Sequence, residues 1–393
     1  GHCIRSVVNQ TLRDIEVICV DAGSTDGTLD VLENFSKFDP RIRILHSDKK
    51  SYGYQMNLGF SSARGEYIGI VESDDYVEPD MFEKLYHAAK ADDLDLAKSG
   101  FFNHYTNPDG SGRDVPAKIP SNAPKDVFCP LTSSFTESSQ FFSMSPYILT
   151  GLYRADFIRE KHILFTETPG ASYQDTAFTF KVWCCAARAR FVDACLLHYR
   201  RDNDNSSSNS RGKVYCVVDE YNEEERFLSE EQPQVKERAE GIRCRLKYGA
   251  YLWNYRRLGM PEKLEFLKYA AEEFAGDREK GYLVRKYFSI YQWDELGCLI
   301  DDYRAFHAVN GFKWKNEDKI AIMRNIAAFH RKHLQDSREK SFRPVYVGKK
   351  ETPLVSVIIP VYNTAAYVCE CLESICRQTI DDIEFICIND GST

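Results

Sequence analysis

The sequence predicts an α/β protein: a doubly wound, Rossmann-like, mostly parallel sheet, then a helical region, then the start of a second α/β domain. Three observations predict it. The first is an internal repeat. Cys3 to Thr25 reads CIRSVVNQTLRDIEVICVDAGST, and Cys371 to Thr393 reads CLESICRQTIDDIEFICINDGST. The offset is 371 − 3 = 368 without gaps, and 12 of the 23 positions are identical. The second is a regular alternation of β-branched runs with helical spacing, which is the doubly wound pattern. The third is length: 393 residues exceed what one core usually holds, about 250–300 residues. The expected domains are 1–212, 213–345 and 346–393.

Each element follows in order. Ile4 to Asn9 is helical, and Glu16 to Val20 is a strand that runs into the turn Asp21-Ala22-Gly23-Ser24. Thr28 to Phe38 is a helix, and Arg43 to His46 a short strand. A helix closes at Gly59 to Ala63. Tyr67 to Val71 is a strand ending in Glu72-Ser73-Asp74-Asp75, and Pro79 to Lys90 is helical. From 214 to 345 apolar residues recur at helical spacing, as at Leu264, Leu267, Ala271 and Phe274. Dense aromatics there, such as Tyr248, Tyr251, Trp253 and Tyr255, read as bundle packing before a sugar platform. Lys340 to Pro353 reads as a linker. Val355 to Val361 is a strand suited to burial on both faces, Ala366 to Arg377 a helix, and Phe385 to Ile388 a second strand. The copy at the start lacks the equivalent of Val355 to Val361, so the chain reads as cut from a longer tandem protein. That strand is expected to dock beside Glu16 to Val20. The competing arrangement pairs it with Phe385 to Ile388 alone.

Charge and cysteine usage exclude several classes. Lys plus Arg number 51 and Asp plus Glu 59, a net charge of −8, against a general nucleic-acid binder. No apolar run approaches the length of a membrane crossing. The 13 cysteines include no CxxC pair and sit mostly in apolar runs, as buried thiols of a reducing compartment do. His330 and His333 lack partners at ligand spacing and read as a solvated helix face.

Two acidic groups fall at strand ends: Asp21, and Glu72 with Asp74 and Asp75. Adjacent carboxylates repel unless a cation or donors neutralise them, and oxygen ligands of this kind suit Mg2+ or Mn2+. A solvated acidic turn ahead of Pro79 is the bland alternative.

The motifs together carry a resemblance. Val-Ser-Val-Ile-Ile-Pro-Val-Tyr-Asn at 355–363 with Asn-Asp-Gly-Ser-Thr at 389–393 resembles the opening of family 2 glycosyltransferases of the GT-A fold. Val-Asp-Ala-Gly-Ser-Thr-Asp-Gly-Thr from Val20 and Glu-Ser-Asp-Asp-Tyr-Val-Glu-Pro-Asp-Met from Glu72 resemble the same family. The resemblance covers about residues 1–212 and 354–393. It implies that Asp21, Asn57 and Asp74 meet the nucleotide and ribose; the second copy keeps as Asp390 the base-contacting Asp that Ala22 replaces in the first, and docking of the Leu354 to Tyr362 strand would bring Pro360 and Tyr362 near Asp21 to rebuild part of the nucleotide site. Asp75, with Asp74, would meet the divalent metal on the diphosphate. The segment Gly170 to Phe178, GASYQDTAF, resembles the acceptor-side motif, and Asp175 matches the catalytic base. A helix N-cap is its plainer reading. In some relatives a later His completes the metal shell, and His198 is the candidate, weighed against a packed histidine. Arg200 and Arg201 could hold phosphate. Ala22 and Glu72 stand where the family often has Asp.

The resemblance therefore implies a metal-dependent inverting transferase using a nucleotide-diphosphate sugar, a UDP-sugar by analogy, and a glycan or lipid-linked acceptor in surface polysaccharide synthesis. It implies a cytoplasmic setting at the inner face of the plasma membrane, with no nucleic-acid partner. The basic helix Arg324 to Arg343 could touch anionic lipid. A sugar-nucleotide pyrophosphorylase is disfavoured, because Pro360-Val361-Tyr362-Asn363 replaces the basic Gly-rich loop it would need. A degenerate glycan- or partner-binding domain is the alternative, favoured by Ala22 and Glu72.

Overall fold

Ile4 and Val7, three residues apart, share one helical face, and the chain opens in a helix, α1 (His2–Val8), that buries both. A computed structural model describes residues 1–107, 109–117, 126–133, 147–203, 214–310, 355–361 and 383–389, with short pieces at 119, 124, 142, 320, 322–325, 328, 371–372 and 375. Tyr362, Asp390, Asn205 to Ser207, His330, His333, the linker Lys340 to Pro353 and most of the helices expected over 324–343 and 366–377 lie outside the described residues. The chain divides into two compact units, Gly1–Ala250 and Tyr251–Thr393.

In the first unit, β1 (Val17–Asp21) is followed by α2 (Thr28–Phe38) and β2 (Ile42–His46). The two strands pair in parallel, Val17 against Ile42 through Asp21 against His46. Next come α3 (Tyr52–Ser62), β3 (Tyr67–Gly69), β4 (Tyr76–Val77) and α4 (Met81–Ala91). The strand expected to reach Val71 leaves the ladder after Gly69. Ile70 is nonetheless buried, at 5% exposure. A Cβ on Gly69 would lie 2.4 Å from Cε1 of Phe82, so glycine here lets α4 close onto the strand.

The remaining strands build a mixed sheet. They are β5 (Leu96–Thr106), β6 (Gly112–Ala117), β7 (Gly151–Arg154) and β8 (Ala189–Arg200). Between them lie α5 (Pro130–Ser133), α6 (Ala155–Glu160) and α7 (Gln174–Cys185). The order is β3-β7-β5-β8-β4, with β6 also on β5. The α/β class is as expected. Among the described residues of this unit, however, parallel pairing is limited to β1–β2 and β5–β8, while β3–β7, β4–β8, β5–β7 and β5–β6 are antiparallel. The reason for β6 is local: a short turn, closed by the Asn107 N–H to Ser111 O bond at 2.8 Å, returns the chain directly, which only an antiparallel partner permits. Leu96 to Phe101 of β5 are buried throughout, as a strand covered on both faces should be.

Helices α8 (Cys216–Arg226) and the start of α9 (Pro233–Arg257) also belong to the first unit. Lys181 of α7, with a side chain 1% exposed, ties them in: its ammonium donates to Leu164 O at 2.9 Å and to Glu223 at 2.5 Å. A buried cation without such partners would be costly.

The second unit holds α10 (Met260–Glu279), α11 (Ile290–Asp301) and α12 (Tyr303–Asn310). Phe266, Leu267, Ala271, Phe274, Leu299 and Phe306 are its core, so the helical stripe packs as a bundle. Tyr248, Tyr251 and Tyr255 are buried, while Trp253 and Tyr291 face outward. Ser289 caps α11 through a reciprocal bond pair with Gln292. Further on, β9 (Val355–Val361) pairs in parallel with β10 (Ile383–Asn389). The expected docking of this strand beside β1 therefore gives way to the competing local arrangement. Closing a loop of 21 residues rather than more than 300 costs about 2 kcal/mol less entropy. No helix among the described residues is long and apolar enough to cross a membrane.

Candidate active site

The acidic cluster forms because β3 and β4 are separated by a tight turn, closed by the Asp75 N–H to Glu72 O bond at 3.1 Å. Oxygens of Glu72, Asp74 and Asp75 lie within 4.8 Å of one another. Each carboxylate has its own support. Tyr52, at the start of α3, donates its hydroxyl to Glu72 at 3.0 Å. Asn203 donates to Asp74 at 2.8 Å. The Arg200 backbone N–H donates to Asp75 Oδ1 at 2.8 Å, and the Arg200 Nε donates to Asp74 O at 3.1 Å. Arg200, read from sequence as a phosphate holder, thus latches the acidic turn from β8.

Asp75 is 1% exposed, and its Oδ2 has no hydrogen-bond partner. Burial pushes its carboxyl up to about 7, and the neighbouring Asp74 and Glu72 add to the push. Burial likewise raises Glu72. A buried, unpaired carboxylate oxygen facing two more carboxylates is a donor set that fits a divalent cation with oxygen preference.

Asp175 stands in the first turn of α7. The loop before it is bonded to itself: Gln174 donates to Thr168 Oγ1 at 2.9 Å and to Gly170 O at 3.3 Å, and Ser172 N–H donates to Gln174 Oε1. Tyr173 adopts φ +64°, a strained conformation for a bulky residue that this network holds. The Asp175 carboxyl keeps a partly accessible face yet lies deep among protein atoms. That desolvation, then the negative charge of Glu72, raises it to about 7. Burial, then the charge and hydrogen bond of Glu72 and the charge of Asp175, raise the Tyr52 phenol.

The other expected residues are placed differently. Asp21 ends β1, and its carboxylate accepts from the Gly23 and Ser24 N–H groups at 2.9–3.3 Å; the Ser24 side-chain hydrogen bond, with these backbone bonds, holds it below the usual range. The amide of Asn57, expected at the nucleotide, is committed to a bracket: it donates to Phe165 O at 2.9 Å and accepts from Phe165 N–H at 2.9 Å. Pro360 lies in β9 opposite Ile388. His198 does not join Asp74 and Asp75. It lies with Glu78, Asp114 and His104. Sequence reasoning missed Tyr52 and Glu220. Glu220, on α8, is fully buried, accepts from the Ala177 N–H at 3.4 Å, and is raised to about 8 chiefly by burial. A polar residue on the apolar face of α8, in the run Val217-Val218-Asp219-Glu220-Tyr221, was the available signal for Glu220.

An α/β sheet with a carboxylate cluster between β3 and β4 and a separate carboxylate at the start of α7 defines the class as an α/β domain with acidic groups at element ends. Its likeness to a family follows from comparison with known proteins. The model described as glycosyl transferase family 2 matches residues 1–149 and 356–393, and these parts of the chain are similar to that family. The chain is 31% identical over 205 residues, 52% of its length, to the uncharacterized glycosyltransferase EpsJ of Bacillus subtilis, covering 58% of that protein. It is 30% identical over 207 residues, 51% of its length, to the glycosyltransferase GlyG of Streptococcus pneumoniae, covering 65%. The chain thus spans less than two thirds of the length of these relatives. Its fold is similar to S. aureus TarS 1–349 solved with UDP-GlcNAc, with a TM-score of 0.56 at 15% identity over 88% of this chain and 90% of that one.

Proposed function

We propose that the first unit is a glycosyltransferase that moves a sugar from a nucleotide-diphosphate donor to a hydroxyl acceptor with inversion. The observation that carries this reading is the pairing of an unpartnered Asp75 oxygen within the Glu72–Asp74–Asp75 cluster with a second, separately held carboxyl, Asp175. Transfer needs two such groups. One side must hold the leaving diphosphate and the other must take the acceptor proton.

In this reading Asp74 and Asp75, with Glu72 behind them, would hold Mg2+ or Mn2+. The ion would supply positive charge to a departing diphosphate. Tyr52 keeps Glu72 oriented, and Arg200 fixes the turn that aims Asp74 and Asp75. Asp175 Oδ accepts the acceptor's hydroxyl proton as that oxygen attacks the anomeric carbon. A carboxyl raised toward neutrality is a stronger base than an ordinary one, and still half or more ionised above pH 7. A single displacement inverts the anomeric centre. A UDP-sugar donor and a glycan or lipid-linked acceptor in surface polysaccharide synthesis, at the cytoplasmic face of the membrane, are the setting we infer from the relatives' names and from the UDP-GlcNAc in TarS.

The test is transfer and hydrolysis with a panel of UDP-, GDP- and TDP-sugars, with and without Mn2+, in wild type and Asp175→Asn. Turnover of one donor that Asp175→Asn loses supports the reading. A second reading, a binding domain without turnover, is favoured by Ala22 and Glu72, and predicts donor or glycan binding with no turnover of any donor.

A further inference from the structure

Three strands bring a second set of metal-type ligands to one face of the sheet, apart from the acidic turn. The registers dictate it. Tyr76 of β4 and Phe102 of β5 are the cross-strand neighbours of His198 on β8, and Asp114 of β6 is the neighbour of His104 on β5. His104 lies two residues beyond Phe102 and so shares its face. One ring nitrogen each of His198 and His104 and a carboxylate oxygen of Asp114 fall within 4.8 Å of one another.

We propose that His104, His198 and Asp114 form a zinc-class metal centre, distinct from the acidic cluster, that clamps the β5–β6 hairpin to β8.

Hydrogen bonding alone leaves this cluster unsatisfied. His198 has a side chain 9% exposed, yet its Nδ1 has no hydrogen-bond partner. Asp114 Oδ2 comes to 3.2 Å from it without the alignment a hydrogen bond needs. At His104, one ring nitrogen meets two groups: Asp114 Oδ1 at 2.8 Å and the Tyr76 hydroxyl at 3.1 Å from the same Nδ1. That nitrogen offers one in-plane proton or one lone pair and cannot serve both. A cation satisfies both nitrogens and the carboxylate together. Bonds of about 2.0–2.1 Å in a tetrahedral shell set donors about 3.3 Å apart, and Asp114 brings one oxygen to 2.8 Å from His104 Nδ1 and the other to 3.2 Å from His198 Nδ1.

The surroundings are those of a held ligand. The far nitrogen of His198, Nε2, lies 2.8 Å from Glu78, the outer carboxylate that commonly fixes a metal-bound imidazole. Tyr76 stacks on the His198 ring at 4.2 Å and 8°, and Phe102 at 4.8 Å and 20°, which locks its rotamer. Gly112 of β6 accommodates the other ring: a Cβ there would lie 2.7 Å from His104 Cε1. Asp114 is the half-open member, so water can complete the shell. The nearby cation, Arg200, turns its guanidinium to Asp74 O and toward Asp202 at 3.7 Å. Two imidazoles and one carboxylate suit Zn2+ rather than Mg2+ or Ca2+, which prefer oxygen throughout.

The test uses the 393-residue chain stripped with EDTA. Titration with ZnCl2 by calorimetry, and with CoCl2 by visible absorption, should reveal one tight site with the d–d bands of a tetrahedral nitrogen–oxygen shell. His104→Gln, His198→Gln and Asp114→Asn should each weaken zinc at least 10-fold, whereas Asp75→Asn should leave it unchanged. His104→Cys, which restores a soft donor, should regain binding that His104→Gln loses. Far-UV circular dichroism separates ligand loss from misfolding, and Asp114→Asn, at a half-open position, is the variant least exposed to that failure. The chain's free thiols also attract zinc, so the variant difference decides. Equal affinity in His104→Gln, His198→Gln and Asp114→Asn, loss in Asp75→Asn, or a wild type that takes up no zinc overturns the proposal.

Discussion

Asp175 is where one side chain decides most. Its carboxyl is raised from the ordinary 3.8 to about 7 because its environment withholds water, with Glu72 adding repulsion. Two consequences follow with opposite signs. If it is the base, transfer falls as pH drops below about 7, where the carboxyl takes up a proton. Asp175→Asn should remove that limb and lower transfer by about 10²-fold or more while nucleotide binding is nearly unchanged. Full turnover in the variant would dismiss the assignment. For stability, an acid whose folded pKa is raised binds its proton more tightly folded than unfolded. The chain therefore loses stability as pH climbs from about 4 to about 7, and the whole penalty persists above 7. Asp175→Asn should then melt higher than wild type at pH 8 and near wild type at pH 4. A lower melting temperature at pH 8 would show that the carboxylate is compensated in a way its burial does not reveal. Glu220, raised to about 8, acts in the same sense and extends the falling window by roughly a unit.

At the scale of elements, the site depends on how closely α4 lies on β3. Gly69→Ala would set a methyl 2.4 Å from the Phe82 ring, which is 9% exposed, so the ring or the helix must move. Such overpacking costs about 1–3 kcal/mol. The double change Gly69→Ala with Phe82→Leu should recover part of it. Thermal melts of the two variants decide: no loss in Gly69→Ala would mean the helix is free to shift. The strain matters to function because β3 leads directly into Glu72, and a displaced strand end would misplace Asp74 and Asp75. The turn before α7 works similarly. Tyr173 sits at positive φ next to Gln174, whose amide bonds to Thr168 and Gly170 tie the loop to the start of α7.

At the scale of the whole chain, the two copies of the repeat differ in one strand. In the later copy β9 lies parallel to β10, and β10 is the repeat equivalent of β1. In the earlier copy β1 pairs with β2. Placing a duplicate of residues 352–368 directly before Gly1, the register the 368-residue offset dictates, should therefore add a β9-like strand along the remaining edge of β1. A few new backbone hydrogen bonds, each worth about 1 kcal/mol, should raise the melting temperature by about 4 °C or more. An unchanged midpoint would show that the copies are related in sequence but not in pairing.

The sequence by itself determined the α/β class, the order of strands and helices through α4 apart from the short β4, and the identity of the residues at the strand ends. These are properties of periodicity and turn chemistry, which act over a few residues. Asp75 and Asp175 were legible for the same reason: each stands in a motif at an element's end. Only the tertiary structure decided what each side chain faces. It committed Asn57 to the Phe165 backbone, brought Tyr52 beside Glu72, and gathered His198 with His104 and Asp114, residues 94 and 84 positions away in the chain. It also set most of the six-stranded sheet antiparallel, and paired β9 with β10 rather than β1. Such partnerships depend on strand register and loop closure across hundreds of residues, and no local pattern in the sequence encodes them.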